Sequence, residues 1–517
     1  MSDYDAMVIG AGHNGLTAAS VMARGGLRVL CLEKNHFSGG MASTTDLIRG
    51  YRFEIAGSVQ FPVPNEIYAE LGFDDCPIFE PEVRSGSVSD AGGPPMLFYT
   101  DPDELVGHLS DLLGLEAMLG LGEIMAWADA PARALGRFEV RSAPRTVDEM
   151  FAVATDERER EAIRTMLFGS VMDVVDRFLP DRVAHAQVRG LLAFLAVNST
   201  FRGPFDAGSA TCLAWALATP NDDASMSKVR GGIGAMSDHV RDLFLARGGE
   251  LRLHARVERI LIEQGAVVGV ELDDGTTISA PVVVSNLDAT ATLGLLGADV
   301  LPASLVERID AIDHRAAYFQ MHFALSDLPE FTGPNEVLNE GQLRATTTFF
   351  GTPEAQQRAF EACRAGLVPE APPVSLGIPS MLDPDLAPPG RHAASAFAFC
   401  APIGADHAER VKLRDEMADR IVERISRFAP NFPDCIERQI SYPAHSYELM
   451  FGCTGGDFTH ALLHPDLMGS FRPGPRGWRD VELPVDGLYL GGAGCHGGPG
   501  VTFIPGYNAG HAVLDAG

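Results

Sequence analysis

The stretch AMVIGAGHNGLTAASVMARGGLRVLCLE, residues 6–33, decides how this chain folds. Its apolar run Ala6–Ile9 predicts a short buried strand, and residues 16–24 predict a helix that ends at a glycine pair. Residues 28–32 predict a second strand. This strand–helix–strand order predicts an α/β fold with a parallel sheet.

Three glycines join the first strand to the helix, with the spacing G-x-G-x-x-G: Gly10, Gly12 and Gly15. Gly10 permits a tight turn, Gly12 lets the main chain approach a pyrophosphate, and Gly15 lets the helix pack closely on the strand. The amides at the helix start favour phosphate. Glu33 follows where a carboxylate can accept hydrogen bonds from an adenosine ribose. The pattern predicts a Rossmann-like dinucleotide site, and the acid argues against NADP.

Two further segments favour FAD over NAD. The glycine pair 39–40, followed by small and hydroxyl residues, gives the main chain a second place to lie along a diphosphate. Residues 250–290 contain period-two stretches broken at 264–265 and 274–275, which predict an antiparallel meander. The meander ends in a predicted buried strand at 281–285, an insertion typical of flavoproteins with two dinucleotide folds.

A second glycine-rich run, GGAGCHGGPGVTFIPGYNAG, occupies residues 491–510. The apolar run Leu488–Leu490 before it predicts a buried strand, and a helix is predicted from Pro505 onward. Main-chain amides and a helix N-terminus would stabilise the negative charge that a flavin gains on reduction. We therefore expect the two ends of the chain to close over one FAD.

Composition limits the classes of partner. The 517 residues predict two to four domains, and the net charge of −29 argues against nucleic acid or anionic lipid as the main partner. Eight cysteines without a CxxC pair argue against a zinc cluster and a redox disulfide.

The strand pattern starts within the first ten residues, so we expect no export signal and a cytoplasmic protein. The apolar windows 190–197 and 212–218 predict buried helices too short to span a bilayer, and peripheral membrane contact stays open.

The motifs together resemble those of the phytoene desaturase-like FAD-dependent oxidoreductases, in the glutathione reductase structural superfamily. The resemblance rests on GAGHNG, SGGMAST with GYRFEIAGS, KVRGGIGAMSDHV, VVVSNLDAT and DGLYLGGAGCHGGPG. The runs SLGIPSMLDPDLAPPGRH (375–392) and GGDFTHALLHPDLM (455–468) resemble the branch named after pyridine nucleotide-disulfide oxidoreductase domain-containing protein 2. That name implies two nearby cysteines, which this sequence lacks.

The resemblance implies a set of FAD contacts made mostly by main chain. The first glycine loop would hold the pyrophosphate, an acid–base pair the ribose, and the segment after the glycine pair the centre of the cofactor. A meander strand would reach the adenine, and the C-terminal loop would lie by the flavin. In chain order these residues are Gly10, Gly12, His13, Asn14, Gly15, Glu33, Lys34, Gly40, Met41, Ala42, Val257, Gly494, Gly500 and Val501.

This sequence departs from the family pattern at two positions. Met41 stands where many relatives carry arginine, so a charge contact to the cofactor is absent there. Cys495 precedes His496 where relatives usually have a small or hydroxyl residue, which leaves a thiol near the expected flavin position. We expect FAD to be bound non-covalently.

The predicted FAD domain is discontinuous. It comprises residues 1–90, 225–300 and 480–517. Residues 90–225 have helical periodicity, and residues 300–480 mix strand and helix patterns. These two insertions are predicted to form the substrate domain.

A flavin accepts hydride itself, so the protein has to bind, orient and supply at most one general base. Candidate groups in the segments expected near the flavin are His460, His464, His496 and Tyr507, with His460 the first choice because it matches a histidine of the branch. Each histidine could instead satisfy main-chain carbonyls. The spacing of His460 and His464 lacks a third ligand, so we predict no metal site.

The leading hypothesis is an FAD-dependent dehydrogenase or desaturase that acts on C–C bonds of an apolar substrate such as a terpenoid, polyene or alicyclic compound. Electrons would pass to oxygen or a quinone, because no second G-x-G-x-x-G followed by an acid is visible. The alternatives are an amine oxidase, a redox-neutral double-bond isomerase and a non-catalytic flavin-binding scaffold. The oligomeric state does not follow from the sequence.

Overall fold

A computed structural model describes residues 2–56, 62–199, 202–218, 228–297, 300–315 and 318–517. The strands are β1 (Ala6–Ile9), β2 (Val29–Leu32), β3 (Thr44–Ile48), β4 (Tyr51–Glu54), β5 (Ile78–Phe79), β6 (Val83–Ser89), β7 (Met96–Tyr99), β8 (Lys228–Val229), β9 (Glu250–Arg252), β10 (Val257–Glu263), β11 (Ala266–Leu272), β12 (Thr277–Ser279), β13 (Val283–Ser285), β14 (Phe319–Leu325), β15 (Thr346–Phe350), β16 (Val374–Gly377), β17 (His392–Ala398), β18 (Ile436–Pro443), β19 (Gly477–Trp478), β20 (Val481–Glu482) and β21 (Leu488–Leu490). The helices are α1 (His13–Arg24), α2 (Asn65–Leu71), α3 (Pro102–Leu135), α4 (Val147–Ala152), α5 (Glu157–Phe168), α6 (Val171–Phe178), α7 (Ala186–Ser199), α8 (Ala210–Leu217), α9 (Gly234–Ala246), α10 (Ala289–Leu296), α11 (Ala303–Asp310), α12 (Pro353–Arg364), α13 (His407–Ser426), α14 (Phe432–Cys435), α15 (Ala444–Phe451) and α16 (Ile504–Ala516).

A five-stranded parallel sheet in the order β21-β13-β1-β2-β9 joins the two ends of the chain. Met7 pairs with Val283, and Val283 pairs with Leu488, so three distant segments share one register. Every residue of β1 is buried, because α1, α9 and α16 cover one face of the sheet and the meander with α10 covers the other. A strand covered on both faces is continuously apolar. The predicted α/β class with a parallel sheet is confirmed.

The meander β10-β11-β12 is antiparallel, as its sequence pattern predicts. Gln264 and Gly265 both have positive φ, 51° and 83°, which matches the two-residue turn that right-twisted strands prefer. The strand predicted at 281–285 begins only at Val283. The predicted strand 28–32 likewise begins one residue later, at Val29.

Helix α1 begins earlier than its apolar pattern predicts. Residues 16–24 carry the apolar periodicity, but the helix starts at His13 with Gly12 as its N-cap. His13 and Asn14 are polar and give no periodic signal, yet their backbone already belongs to the first helical turn. Because α1 starts at His13, its N-terminus lies directly at the glycine loop.

The second large sheet has seven strands in the order β18-β14-β17-β16-β15-β6-β7. Strand β6 pairs parallel with β15, so residues 83–99, which cross the expected boundary at 90, belong to this sheet. Helix α13 packs on one face of it through apolar residues such as Met417 and Ile421.

The apolar windows 190–197 and 212–218 fall largely on α7 and α8, which pack with α3, α5 and α6. Within the described ranges, no helix has both the length and the apolar character that crossing a membrane requires.

Candidate functional site

The loop between β1 and α1 is shaped by its glycines. Gly10 has a φ of +91°, a region that side chains other than glycine rarely adopt. A Cβ on Gly15 would lie 2.0 Å from the Gly10 carbonyl oxygen, and one on Gly12 would lie 2.8 Å from Asn286 Nδ2. A Cβ at Gly15 would have to displace main chain, whereas one at Gly12 would have to push the Asn286 side chain aside. The loop therefore presents bare main chain at the N-terminus of α1, as a diphosphate site requires.

Glu33 anchors this loop from the end of β2. Its buried carboxylate accepts hydrogen bonds from the N–H groups of Ala11 and Asn35, each 2.9 Å long. Its main-chain carbonyl accepts the N–H of Ala255 at 2.8 Å, which brings Val257 at the start of β10 to the same end of the loop. Carboxylate oxygens keep further lone pairs, so Glu33 can hold the loop and also accept from a ribose.

The glycine pair 39–40 lies directly on the first loop. The Gly39 N–H donates to the Ala11 carbonyl at 2.7 Å, and a Cβ on Gly40 would lie 3.1 Å from Gly12 Cα. Ala42, two residues on, is buried and donates its N–H to the Gly39 carbonyl at 3.1 Å. Two stretches of bare main chain therefore lie side by side.

Lys34 and Met41 make contacts within the protein. Lys34 donates from Nζ to the Leu449 carbonyl at 3.2 Å, and burial lowers the pKa of its ammonium. Met41 packs against a buried apolar cluster that includes Ile55 and Tyr447. Their predicted roles at the ribose and at the centre of the cofactor stay predictions.

The C-terminal glycine loop runs from β21 to α16 against other main chain. A Cβ on Gly492 would lie 2.7 Å from the Leu287 carbonyl oxygen, and one on Gly494 would lie 3.0 Å from the His460 carbonyl oxygen. Val501 at the end of the loop is buried in the core beneath α1. As in the loop between β1 and α1, other main chain approaches the glycines of this loop so closely that side chains would not fit there.

The two termini meet at the start of helices α1 and α16. A Cβ on Gly506 would lie 2.0 Å from the Asn14 carbonyl oxygen, and the Gly506 N–H points to Asn14 Oδ1 at 3.4 Å. The His13 ring lies edge-on to Phe503, with 5.4 Å between ring centroids. Burial lowers the pKa of His13 to about 4, although a hydrogen bond to the main chain of Gly500 opposes this shift. The predicted closure of both ends on each other is therefore present.

His460, the first candidate base, lies at the C-terminal glycine loop. It has a φ of +57°, in the left-handed region, and it is half-buried, with its Nδ1 shielded from solvent. Its Nδ1 has no hydrogen-bond partner among the described residues. Burial lowers its pKa despite the opposing charges of Asp288 and Asp457, so the imidazole is neutral and able to accept a proton.

The other three candidates lie in different surroundings. His496 is buried near Arg472, and burial lowers its pKa to about 4. His464 Nδ1 lies 3.2 Å from Arg202, on the side of the helical segment. The Tyr507 hydroxyl bonds to Glu66 and Glu70 of α2, at 2.9 and 2.8 Å. Burial and these two carboxylates raise the pKa of Tyr507. Its hydroxyl is already engaged on α2, whereas His460 has a free ring nitrogen.

A buried group of acids and a histidine flanks His460, and no sequence motif indicated it. Asp457 accepts hydrogen bonds from the Thr459 N–H at 2.9 Å and the Thr459 hydroxyl at 2.5 Å. His314 Nδ1 lies 3.5 Å from Asp457 Oδ2, an ion pair when the imidazole is protonated. Burial opposes the charge on His314, but Asp457 and Asp288 outweigh it and raise its pKa. Because His314 is distant in sequence, only the fold reveals the pair.

Arg472 joins the segment of His460 to the C-terminal loop. Its buried guanidinium donates to the Gly498 carbonyl at 2.5 Å and to the carbonyls of Ala461 and Thr459 at 2.8 and 3.4 Å. Burial lowers the pKa of Arg472 to about 10, and Asp457 opposes the shift. One side chain thus ties together the two loops that the resemblance places at the flavin.

An aromatic cluster continues from the same segment. Phe458 packs on Tyr318 with 4.0 Å between ring centroids, and on Phe397 and Tyr447 at 5.6 and 6.4 Å. These rings come from β17, α15 and the residue before β14, at the edge of the seven-stranded sheet. They form an apolar surface two residues from His460.

A separate, partly open cleft adjoins this segment. Its lining is mostly apolar, with Leu287, Ile312 and Leu467, and includes His460 and Arg472. His460 therefore lines a cleft.

These residues fit a flavin dinucleotide. The main-chain cradle matches a diphosphate, and His13 Nε2, His460 Nδ1 and His496 Nε2 are buried without a hydrogen-bond partner in the described part of the chain. Asn286, whose side-chain amide donates to the Gly10 carbonyl at 3.1 Å, supports the cradle and lies in the run VVVSNLDAT. Over the same described residues, no group of three His, Cys, Asp or Glu side chains is arranged to hold a metal.

Comparison with known proteins is consistent with this geometry. Pyridine nucleotide-disulfide oxidoreductase domain-containing protein 2 of Rattus norvegicus is 27% identical, with 99% of this chain and 93% of the relative aligned. A limonene dehydrogenase polypeptide of Castellaniella defragrans is 24% identical over 98% of this chain and 94% of the relative. Phytoene desaturase (lycopene-forming) of Pseudescherichia vulneris is 27% identical over 66% of this chain and 65% of the relative. The resemblance to phytoene desaturase-like flavoproteins is confirmed.

Solved structures share the fold. Cyclohexylamine oxidase from Brevibacterium oxydans aligns with a TM-score of 0.61 over 99% of both chains, at 14% identity. The sequence profile described as flavin containing amine oxidoreductase matches residues 15–513. The match takes in most of α1, the seven-stranded sheet, four of the five strands of the parallel sheet, the His460 segment and the C-terminal glycine loop. This chain therefore belongs to the flavin containing amine oxidoreductase family and is a flavin-dependent oxidoreductase.

Proposed function

We propose that the protein binds FAD non-covalently and uses it to introduce a C=C bond into an apolar substrate, as a dehydrogenase or desaturase. The observation that carries the proposal is the position of His460. This neutral, half-buried imidazole has a shielded Nδ1 without a partner among the described residues, adjoins the C-terminal glycine loop and lies two residues from the aromatic ring of Phe458.

The first glycine loop supports FAD as the cofactor, and Cys495 supports its non-covalent binding. Glu33 and the loop suit the adenosine diphosphate half of FAD. Burial raises the pKa of the Cys495 thiol to about 12, so the sulfur stays protonated and is a poor nucleophile. A covalent link to this cysteine is therefore disfavoured.

The chemistry divides between cofactor and protein. FAD, when bound, supplies a hydride acceptor. One substrate carbon loses a hydride, its neighbour loses a proton, and the electron pair left behind forms the new C=C bond. We assign His460 Nδ1 as the acceptor of this proton. Burial lowers the pKa of the imidazole, and the negative charges of Asp288 and Asp457 oppose this lowering. Oxygen or a quinone would then remove the two electrons.

The aromatic cluster favours an apolar substrate over an amine. An aromatic cage holds an ammonium group between two rings, each within about 6 Å of the cation. Tyr318 and Phe458 instead lie on each other, 4.0 Å apart, which leaves no room for a substrate atom between them. The terpenoid and carotenoid names among the relatives point the same way.

The test is anaerobic mixing of the yellow holoprotein with limonene, a polyene, cyclohexane derivatives and a panel of amines. We expect the visible flavin absorbance to bleach with one or more of the apolar compounds. Bleaching by amines alone contradicts the proposal. Conversion only after chemical reduction of the flavin indicates a redox-neutral isomerase, and a cofactor that no compound reduces indicates a scaffold.

Replacing Glu33 by alanine should weaken FAD retention by about 10- to 100-fold, because the buried N–H of Ala11 and the half-buried N–H of Asn35 lose their acceptor. The dissociation constant is measured by titrating FAD into the apoprotein. Glu263→Ala is the control, since Glu263 is an exposed acid on β10 with no part in the loop. Equal affinities of the two variants would contradict the assignment.

Replacing His460 by glutamine should slow flavin reduction by about 100-fold or more without release of FAD, because the general base is lost. Stopped-flow absorbance gives the rate, and gel filtration followed by a spectrum gives the FAD content. The same change at His496 should have a smaller effect on the rate. Loss of FAD from the His460 variant would instead assign this residue a structural role.

A further inference from the structure

Helix α3 presents an apolar face to solvent. Its backbone leaves the helical conformation at Gly114, with φ 79° and ψ 168°, so the helical run after this glycine has faces of its own. One face packs in the helical cluster with α5 and α8 through the buried residues Ala117, Ile124 and Trp127. The opposite face points outward. A surface helix normally carries charged and polar residues on that face.

The outward face is instead formed by apolar and small residues at the helical spacing i, i+4, i+7 and i+11. These residues are Leu115, Leu119, Gly122 and Ala126, and we call them the α3 stripe. Leu115 is 76% exposed and Leu119 is 64% exposed, and Met125, 54% exposed, extends the stripe on one side. A Cβ on Gly122 would meet nothing within 4 Å, so a partner can approach the backbone there. Single exposed apolar side chains are common, but a contiguous row of them marks an interaction site.

Acidic side chains flank the α3 stripe. Glu116 and Glu123 each follow a stripe residue by one position, which places both of them on the same flank of the helix. Glu123 pairs with Arg158 of α5 at 2.6 Å, whereas Glu116 has no ion pair among the described residues. From residue 85 to residue 132 the sequence contains several Asp and Glu and no Lys or Arg. The surroundings of the stripe are therefore acidic.

This charge distinguishes between three possible occupants of the stripe. A second copy of the chain would bring the same acids against one another across a two-fold interface. Helices that lie on anionic bilayers carry Lys and Arg on their polar face, and α3 has none before Arg133. A protein segment with Lys or Arg beside its apolar residues would bury the leucines and also be attracted by the acids. The charge therefore favours a basic partner.

We propose that the α3 stripe docks a protein partner through an amphipathic helix that has apolar residues on one face and Lys or Arg on its flanks. Two helices packed in this way bury their apolar ridges between them, and the basic flank of the partner lies beside Glu116. The docking surface is independent of the substrate and of the chemistry proposed for the flavin.

The test is fluorescence anisotropy of the holoprotein with three labelled peptides. The first is a leucine–lysine peptide with leucines at helical spacing, the second is a scrambled peptide of the same composition, and the third replaces the lysines of the first by glutamate. We expect the first peptide to bind at least about tenfold more tightly than either of the others. Equal binding of the scrambled peptide overturns the proposal, because the net charge of −29 alone would explain it. Equal binding of the glutamate peptide overturns it as well.

Replacing both Leu115 and Leu119 by glutamine should weaken binding of the leucine–lysine peptide at least about tenfold. The midpoint of thermal unfolding should stay the same, because both side chains face solvent and glutamine has a helix propensity close to that of leucine. Leu367→Gln is the matched control: Leu367 is 62% exposed and lies outside α3, so its variant should bind within about twofold of the unmodified protein. Binding that survives in the double variant overturns the proposal.

Glu116→Lys tests the charge. It should reduce the preference for the lysine peptide over the glutamate peptide by about two- to tenfold, because one flanking acid becomes a base. An unchanged preference overturns the assignment of a basic partner.

Sedimentation velocity and flotation with phosphatidylcholine–phosphatidylserine vesicles test the other two occupants. We expect neither self-association nor flotation that depends on the α3 stripe. A dimer that is lost in the double leucine variant overturns the proposal in favour of a second copy of the chain. Vesicle binding that is lost in the same variant overturns it in favour of a membrane.

Discussion

Gly506→Ala should separate helix α16 from helix α1 and release the flavin. The added methyl would lie 2.0 Å from the Asn14 carbonyl oxygen and 2.7 Å from its carbonyl carbon. These are main-chain atoms, so no side chain can rotate away and the helices must move apart. Overpacking of this kind costs roughly 1–3 kcal/mol or more, which exceeds the gain of about 1 kcal/mol from placing alanine in a helix.

The measurements are the midpoint of thermal unfolding and the ratio of flavin to protein after gel filtration. Both should fall. Gly294→Ala is the control: Gly294 is an exposed position of α10, and a Cβ there meets nothing within 4 Å. This control should be neutral or stabilising. A Gly506 variant that keeps its flavin and its midpoint would show that contact between the two ends is not what closes the cofactor site.

Arg472→Met should be strongly destabilising. The guanidinium supplies donors to three buried carbonyls, those of Gly498, Thr459 and Ala461, and a thioether supplies none. An unsatisfied buried carbonyl costs about 1–3 kcal/mol. The summed loss of roughly 3 kcal/mol or more is large beside the stability of an ordinary domain. The loop at Gly498 and the segment around His460 would then move independently.

We expect a lower midpoint of urea-induced flavin release for Arg472→Met. Arg472→Lys should lie between it and the unmodified protein, because one ammonium cannot reach all three carbonyls at once. Arg438→Met, at an exposed position of β18, is the control and should change the midpoint little. An unchanged midpoint in Arg472→Met would mean that the carbonyls find other donors.

The two variants test two different contacts that are expected to hold the cofactor site together. Gly506 tests whether the first and last helices must touch, and Arg472 tests whether the C-terminal loop must be held on the His460 segment. Each acts without altering a residue assigned to the chemistry. A loss of flavin in both would support the proposal that the cofactor is held between the chain ends.

Local sequence determined the cofactor half of this protein. The run 6–33, the meander 257–279 and the C-terminal run 491–510 each contain their own signals, because turn glycines, strand periodicity and helix starts depend on near neighbours. Strands β1 and β21 have the predicted bounds. The start of α1 at His13 was missed, since a helical first turn built from polar residues has no periodic pattern.

Only the tertiary structure decided what surrounds the proposed active site. The pair of His314 with Asp457, the hydrogen bonds of Arg472 to three carbonyls and the packing of Tyr318 on Phe458 join residues that are far apart in the chain or lack any motif. Charge, burial and ring packing at such a site arise from long-range contacts, so no short window of sequence contains them. The sequence by itself determined a flavin fold closed by both chain ends. Such a site needs main chain without side chains, and the glycines that provide it can be identified from short stretches of sequence. The identity of the groups that surround the proposed active site was decided by which loops the fold brings together.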